Sequence, residues 1–251
     1  MCKIDDIYKW LCAFAPLELQ MSFDNSGFLV GRKDREVDRV LIALDITPEL
    51  VLEAQERGAQ LIISHHPVIF SAIKSLTDEK LLQLAKADIA AICMHTNLDI
   101  CDGGVNDVLI ELLSGSKAAS PLGEDGCGRV AYLPEEMNLE SFLENCKSVL
   151  GAEGLRYYDA HRKVSKLAVL GGSGADYMMA AVARGCDSFV TADIKHHEFL
   201  LAAELGINLI DAGHYCTEAP VIPALKTKLS AAFEDVEFIL SSRQGQIIHF
   251  I

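Results

Sequence analysis

RVLIALDITPELVLEAQERGAQLIISHHP, residues 39–67, decides the fold class. RVLIALDIT is an apolar run ending at Asp45, short enough for a buried strand. Thr47 is placed to cap a helix, with Pro48 at its first position and Glu49 in its first turn. The helix PELVLEAQERGA stops near Gly58, and LIIS follows as a second buried strand. His65, His66 and Pro67 come directly after it. Strands that are apolar throughout, separated by one helix, are the signature of a largely buried sheet in an α/β fold.

The pattern continues outward in both directions. Ile4, Ile7, Trp10, Leu11 and Phe14 share one helical face, stopped by Pro16, and MSFDNSGFLVG is a turn cluster running into a short apolar stretch. Downstream, residues 78–87 read as a helix, AICM as a strand leading to His95–Asp99, and VNDVLIELL as a helix opened by Gly103–Gly104. Residues 114–126, rich in Ser, Gly, Ala and Pro, read as a linker. Then come strand GRVAYLP, helix NLESFLENCKSVL, strands LRYYDA and KLAVLGGSG, a helix around ADYMMAAVARG, strand SFVTADI, helix HEFLLAAELG and strand NLIDAGH. A last helix starts near Thr217, and FEDVEFILSS is a late strand. The expectation is α/β architecture in two domains, 1–113 and 127–215, facing a shared cleft. Residues 216–251 would add a helix and a strand packing back on the first domain.

The 251 residues are half hydrophobic, enough for a real core. Against 22 Lys+Arg stand 36 Asp+Glu, and a net charge of -14 repels phosphate backbones. Nucleic acid is therefore disfavoured as the main partner. Asp5 and Asp6 interrupt the place where a signal peptide needs an apolar run, and no apolar stretch approaches the ~20 residues of a membrane span. The expected location is the cytoplasm, away from membranes. Cys2, Cys12, Cys93, Cys101, Cys127, Cys146, Cys186 and Cys216 form no C-x-x-C pair and read as buried thiols of a reducing compartment.

The polar residues cluster where strands end: Asp45, His65–His66, His95–Asp99, Gly171–Gly174, Asp193–His197 and Asp211–Glu218. Ligands of α/β folds bind beyond the carboxyl ends of strands. Adjacent residues past a strand point in diverging directions, so His65 and His66 suit two metal ions better than one. Asp99 and Glu218 offer anionic oxygens and His214 another nitrogen, a mixture suited to zinc, iron, manganese, cobalt or nickel rather than calcium or magnesium. Each has a plainer explanation: a satisfied core or surface histidine, an Asp accepting turn hydrogen bonds, a Glu favourable in a first helical turn. Gly171–Gly174 reads as a tight turn or, alternatively, a phosphate cradle. His95 and His197 are candidates for a general acid or base.

FDNSGFLVG (23–31), ISHHPVIF (63–70), MHTNLDICDGGVND (94–107), GGSGADYM (171–178), TADIKHHE (191–198) and DAGHYCTE (211–218) occur in this order. Together, over essentially the whole chain, they resemble the Nif-three-like family, the GTP cyclohydrolase I type 2 homologues or dinuclear-metal-centre hexameric proteins. The resemblance implies two divalent metal ions held by His65, His66, Asp99, His214 and Glu218. It also implies a homo-hexamer, a small-molecule or nucleotide substrate, and metal-dependent hydrolysis of the GTP cyclohydrolase kind. The alternative it leaves open is a non-catalytic metal-binding scaffold or regulatory interaction protein. Two departures are Phe23, where many relatives have tryptophan, and His196, where tyrosine is common; both concern pocket shape rather than ligands.

Overall fold

The computed structural model describes residues 2–251; Met1, with which the expected first domain begins, lies outside the described residues. The chain runs α1 (Ile4–Phe14), β1 (Gly27–Val30), β2 (Arg39–Ala43), α2 (Pro48–Glu56), β3 (Leu61–Ser64), α3 (Glu79–Ala87), β4 (Ala90–Cys93) and α4 (Thr96–Ile100). It continues through α5 (Val105–Ser114), β5 (Ser120–Pro121), β6 (Arg129–Met137), α6 (Leu139–Leu150), β7 (Arg156–Tyr158), β8 (Val164–Ser173), α7 (Met178–Ala183) and β9 (Ser188–Ala192). It closes with α8 (His196–Leu205), β10 (Asn208–Asp211), α9 (His214–Glu218), α10 (Val221–Ala232) and β11 (Glu237–Leu240).

Two compact units result: residues up to Cys101 with Ile222–Gly245, and Asp102–Val221 with Gln246–Ile251. The first holds a sheet in the order β1-β4-β3-β2-β11. β11, β2, β3 and β4 run parallel, with Val40 opposite Leu61 and Leu61 opposite Ala90; β1 closes the edge antiparallel to β4. The opening stretch folds as its sequence demands. Thr47 accepts a hydrogen bond from the Leu50 N–H at 3.2 Å, and Pro48 starts α2. Leu41, Ile62 and Ala91 of the strands bury with Leu50 and Ala54 of α2 and Leu81 and Leu84 of α3. Each fully buried Leu or Ile there contributes about 1.5–3 kcal/mol.

The second unit holds a sheet in the order β5-β6-β8-β9-β10-β7. Only β8, β9 and β10 are mutually parallel; β5, β6 and β7 pair antiparallel. Helix α5, placed by sequence in a domain spanning 1–113, belongs here, because Leu109, Ile110 and Leu113 bury with Phe142, Leu167 and Val169. Residues 114–126, read as a linker, lie inside this unit and contribute β5, with Ser120 opposite Val130. The helix expected near Thr217 divides into α9 and α10. The strand within 216–251 joins the first unit, whereas Gln246–Ile251 joins the second. Among the described residues no helix is long and apolar enough to cross a membrane. Cys2 and Cys12 are half-buried and the other six cysteines are buried, which pushes the Cys146 thiol up to about 12 and Cys186 to about 11.

Glu53 anchors the returning chain. Its carboxylate accepts from Ser242 N at 2.9 Å, Ser242 Oγ at 2.8 Å and Ser241 Oγ at 2.5 Å, and pairs with Arg57 at 3.0 Å. Burial alone would raise its pKa, but these hydrogen bonds and Arg57 outweigh it and lower it from 4.5. A depressed folded pKa gives stability that is present above about pH 4.5 and lost as pH falls through the folded value. Replacing Glu53 by Gln is expected to destabilise the protein by about 1–3 kcal/mol at neutral pH. Denaturant melts from pH 7 to 3 should show a flatter acid limb for that variant; equal pH dependence of the two proteins would refute the assignment.

Candidate metal centre

Parallel strands deliver their next residues to one edge of a sheet. In the first unit β2 leads to Asp45, β3 to His65 and His66, and β4 to His95. The ladder runs on past the strands: His65 N–H donates to Ala43 O (3.3 Å), His66 N–H to Leu44 O (2.9 Å) and Met94 N–H to Ser64 O (3.0 Å). The His65 ring is buried, with Nδ1 2.8 Å from the Met94 carbonyl. His66 Nδ1 lies 2.7 Å from Asp45 Oδ1, and His95 Nδ1 2.7 Å from Asp24 Oδ1. A carbonyl or carboxylate oxygen can only accept, so each Nδ1 carries the hydrogen and each Nε2 is left with the lone pair a metal needs.

The three rings gather closely, with centroids 5.0, 5.2 and 5.5 Å apart. One ligand atom from each of His65, His66 and His95 falls within 4.8 Å of the others, so this group could hold a metal ion. Asp99, inside α4, brings Oδ1 to 3.6 Å from His65 Nε2. His65 and His66 therefore converge rather than diverge. The chain bends after β3, where Ser64 Oγ donates to the His66 carbonyl at 2.7 Å, and the strict alternation of a strand is lost. Asp24 accepts from Thr96 N at 3.0 Å and Ser26 Oγ at 2.9 Å as well as from His95. Burial would raise its pKa, yet the hydrogen bonds from His95 and Thr96 prevail and hold the carboxyl well below the usual range.

In the second unit β9 leads to Asp193 and β10 to α9. The strand expected to run on to His214 stops at Asp211, and His214 is the first residue of α9. Glu218, four residues on, shares its face of the helix. His214 Nε2 lies 3.1 Å from Glu218 Oε2, and Nδ1 2.7 Å from Asp193 Oδ2. The Glu218 hydrogen bond, against the opposing effect of burial and with help from Asp193, raises the His214 imidazole to about 9. At neutral pH a proton thus occupies the His214–Glu218 pair where a cation would replace it. Asp193 itself sits at φ 55, the left-handed region that Asp tolerates.

Gly171–Ser173 end β8 rather than forming a loop, and their amides are already used. Gly171 N–H donates to Asn106 Oδ1 and Gly172 N–H to Thr217 Oγ1, both at 2.9 Å. A Cβ on Gly172 would stand 2.2 Å from Glu218 Oε1, at φ +66. These glycines make room for a carboxylate; they are not a phosphate cradle. His197 is the second residue of α8, with a side chain 74% exposed and 3.9 Å from Glu198, and among the described residues it joins no group that could hold a metal ion. Sequence reasoning missed that Asp24, Asp45 and Asp193 orient the histidines. Asp45 and Asp193 carried a signal, since each follows a strand, but their partners lie 21 residues away and that of Asp24 lies 71.

Imidazoles with carboxylates beside them, in each of two α/β units, could hold a metal ion. The chain belongs to the Duf34/NIF3 (NGG1p interacting factor 3) family, whose sequence model matches residues 2–246. The GTP cyclohydrolase 1 type 2 homolog of Clostridium perfringens is 36% identical, covering 99% of this chain and 100% of that protein. That of Methanocaldococcus jannaschii is 34% identical over 94% of this chain and 98% of its own. A crystal structure of a Staphylococcus aureus protein superposes with a TM-score of 0.93 at 32% identity, covering 100% of this chain and 99% of that one. The Bacillus cereus protein related to NIF3 does so at 0.92 and 25%, again over 100% and 99%.

Two substitutions test the donor geometry. Asp193→Asn removes the anion that fixes the His214 tautomer and should weaken cation binding about 10–100-fold, read by competition with a chromogenic chelator. Unchanged affinity would make Asp193 incidental. Gly172→Ala should displace Glu218 and lower cation content, whereas Gly185→Ala, at φ +71 with nothing within 4 Å of the new methyl, carries the backbone strain alone. Equal cation content in the two glycine variants would refute the steric role of position 172.

Proposed function

We propose that the protein is a metal-dependent hydrolase binding two divalent cations (zinc, iron, manganese, cobalt or nickel). Its ligands are His65, His66 and Asp99 of the first unit and His214 and Glu218 of the second. The observation that carries the reading is that His65, His66 and His214 each have Nδ1 tied to an oxygen at 2.7–2.8 Å, which favours Nε2 as the ligand atom. Cations held there supply Lewis acidity toward a substrate oxygen and activate water near neutral pH. Hydrolysis also needs a group that takes up and returns a proton. His95 is suited to that work, because Asp24 keeps hydrogen on Nδ1 and leaves Nε2 to accept.

The name shared by the Clostridium and Methanocaldococcus relatives suggests hydrolytic opening of a purine imidazole ring with loss of formate. The amides of Gly171 and Gly172 are satisfied within the protein, which counts against their holding the phosphates. A second reading, a non-catalytic scaffold, draws support from the family description as an interacting factor. Under either reading a cytoplasmic homo-hexamer is the assembly proposed.

The deciding experiment is elemental analysis of untagged protein purified without chelators, alongside His66→Ala and Glu218→Gln. About two ions per chain in the parent and fewer in both variants are expected. No ion after reconstitution would overturn the proposal. Chelated protein that keeps its melting temperature but loses hydrolytic turnover supports the enzyme; one that only melts earlier, with no turnover in the loaded form, supports the scaffold. Light scattering on the same samples should give six times the protomer mass.

A further inference from the structure

Two large aromatic side chains remain outside the core at the rim of the imidazole group. Phe23 is 61% exposed and Phe70 is 51% exposed, whereas the phenylalanines Phe142 and Phe189 are fully buried. Apolar rings beside a few convergent polar groups are the usual make-up of a small-molecule site. Their positions are tied together. Asn25 Nδ2 donates to the Ile69 carbonyl at 2.6 Å, joining the turn that carries Phe23 to the loop that carries Phe70. Between them, Asp24 reaches His95 at 2.7 Å. The Phe70 ring meets the His95 imidazole edge-on, with centroids 6.4 Å apart and planes at 77°. The two aromatics thus belong to the segments that build the His65–His66–His95 group.

We infer that the molecule acted on at this group is a planar nitrogen heterocycle without phosphate, held by stacking on Phe70 and Phe23 with its polar edge toward the imidazoles. The inference rests on the hydrolase reading above for the location of the chemistry. Phenylalanine offers a flat apolar face and no hydrogen-bonding group, so it selects for ring shape rather than for a particular base. Charge selects against a polyanion: the chain carries -14, and Asp24, Asp45 and Asp99 surround the histidines. A nucleobase, a nucleoside or a comparable bicyclic heterocycle meets these conditions, and a nucleoside triphosphate does not.

The test is calorimetric binding of guanosine, benzimidazole and GTP to the full-length protein, both metal-loaded and metal-free, with Phe23→Ala and Phe70→Ala alongside. Guanosine and benzimidazole are expected to bind, GTP no more tightly than guanosine, and each alanine variant about tenfold more weakly than the parent. Metal content should be unchanged in both variants, which separates this clamp from the ligands. Absence of binding by both ring compounds, or equal affinity in parent and variants, overturns the inference even where the parent holds its metal. Ring binding through Phe23 and Phe70 in a parent whose metal-loaded form shows no turnover would sink the hydrolase reading and leave the clamp. Variants that change the protein's mass by light scattering without changing ring affinity would identify the rim as a subunit contact and overturn the clamp.

Discussion

An imidazole presents one defined lone pair only when its other nitrogen is committed. Here Met94 O, Asp45, Asp24 and Asp193 make that commitment for His65, His66, His95 and His214, at 2.7–2.8 Å. Much of the architecture serves those four contacts. β2, β3 and β4 must run parallel so that Asp45, His66 and His95 arrive at one edge of the sheet. β9 and β10 must do the same so that Asp193 meets His214. The orienting groups sit on neighbouring strand ends, and the register of the sheet therefore sets the chemistry of the nitrogens.

Charge is the second constraint. Asp24, Asp45 and Asp99 gather around three histidines in the first unit, and Asp193 and Glu218 flank His214 in the second, in a chain that is already acidic. Buried carboxylates need a compensating positive charge or several hydrogen bonds. Asp24 uses hydrogen bonds, and those from His95 and Thr96 hold its carboxyl in the ionised form, well below the usual range. Glu218 uses the His214 imidazole, and the hydrogen bond between them pushes that imidazole up, so positive charge is favoured there. A divalent cation would answer the same demand with twice the charge, which is the physical sense in which such residues could hold a metal ion.

The sequence made the scaffold legible because its signals are local. Thr47, Pro48 and the buried runs on either side determine β2, α2 and β3 within thirty residues, and the structure keeps them. The clustering of His65, His66 and His95 at strand ends was also readable, as were the His214 and Glu218 positions. What escaped depended on contacts far apart in the chain. Nothing around Asp24 announces a bond to His95, 71 residues on. The glycines of β8 look like a loop until Glu218 is seen filling the space a side chain would take. Helix α5 carries an apolar face that would suit either unit; only its burial with Phe142 and Leu167 places it in the second. His197 looked like its neighbours in sequence but faces outward from the start of α8.

The return of β11 to the edge of β2, with Phe238 opposite Val40, has a consequence during translation. The first unit cannot finish its sheet until Glu237–Leu240, which follow the whole of Asp102–Val221 in the chain, have left the ribosome. The second unit, apart from its terminal tail, is synthesised entirely within that interval. The amino-terminal unit therefore cannot be completed before Asp102–Val221 of the second have been synthesised. Until Glu237–Leu240 emerge, the nascent chain carries an unpaired apolar edge at Val40–Ile42, the kind of surface that chaperones cover and that neighbouring chains on a polysome can join.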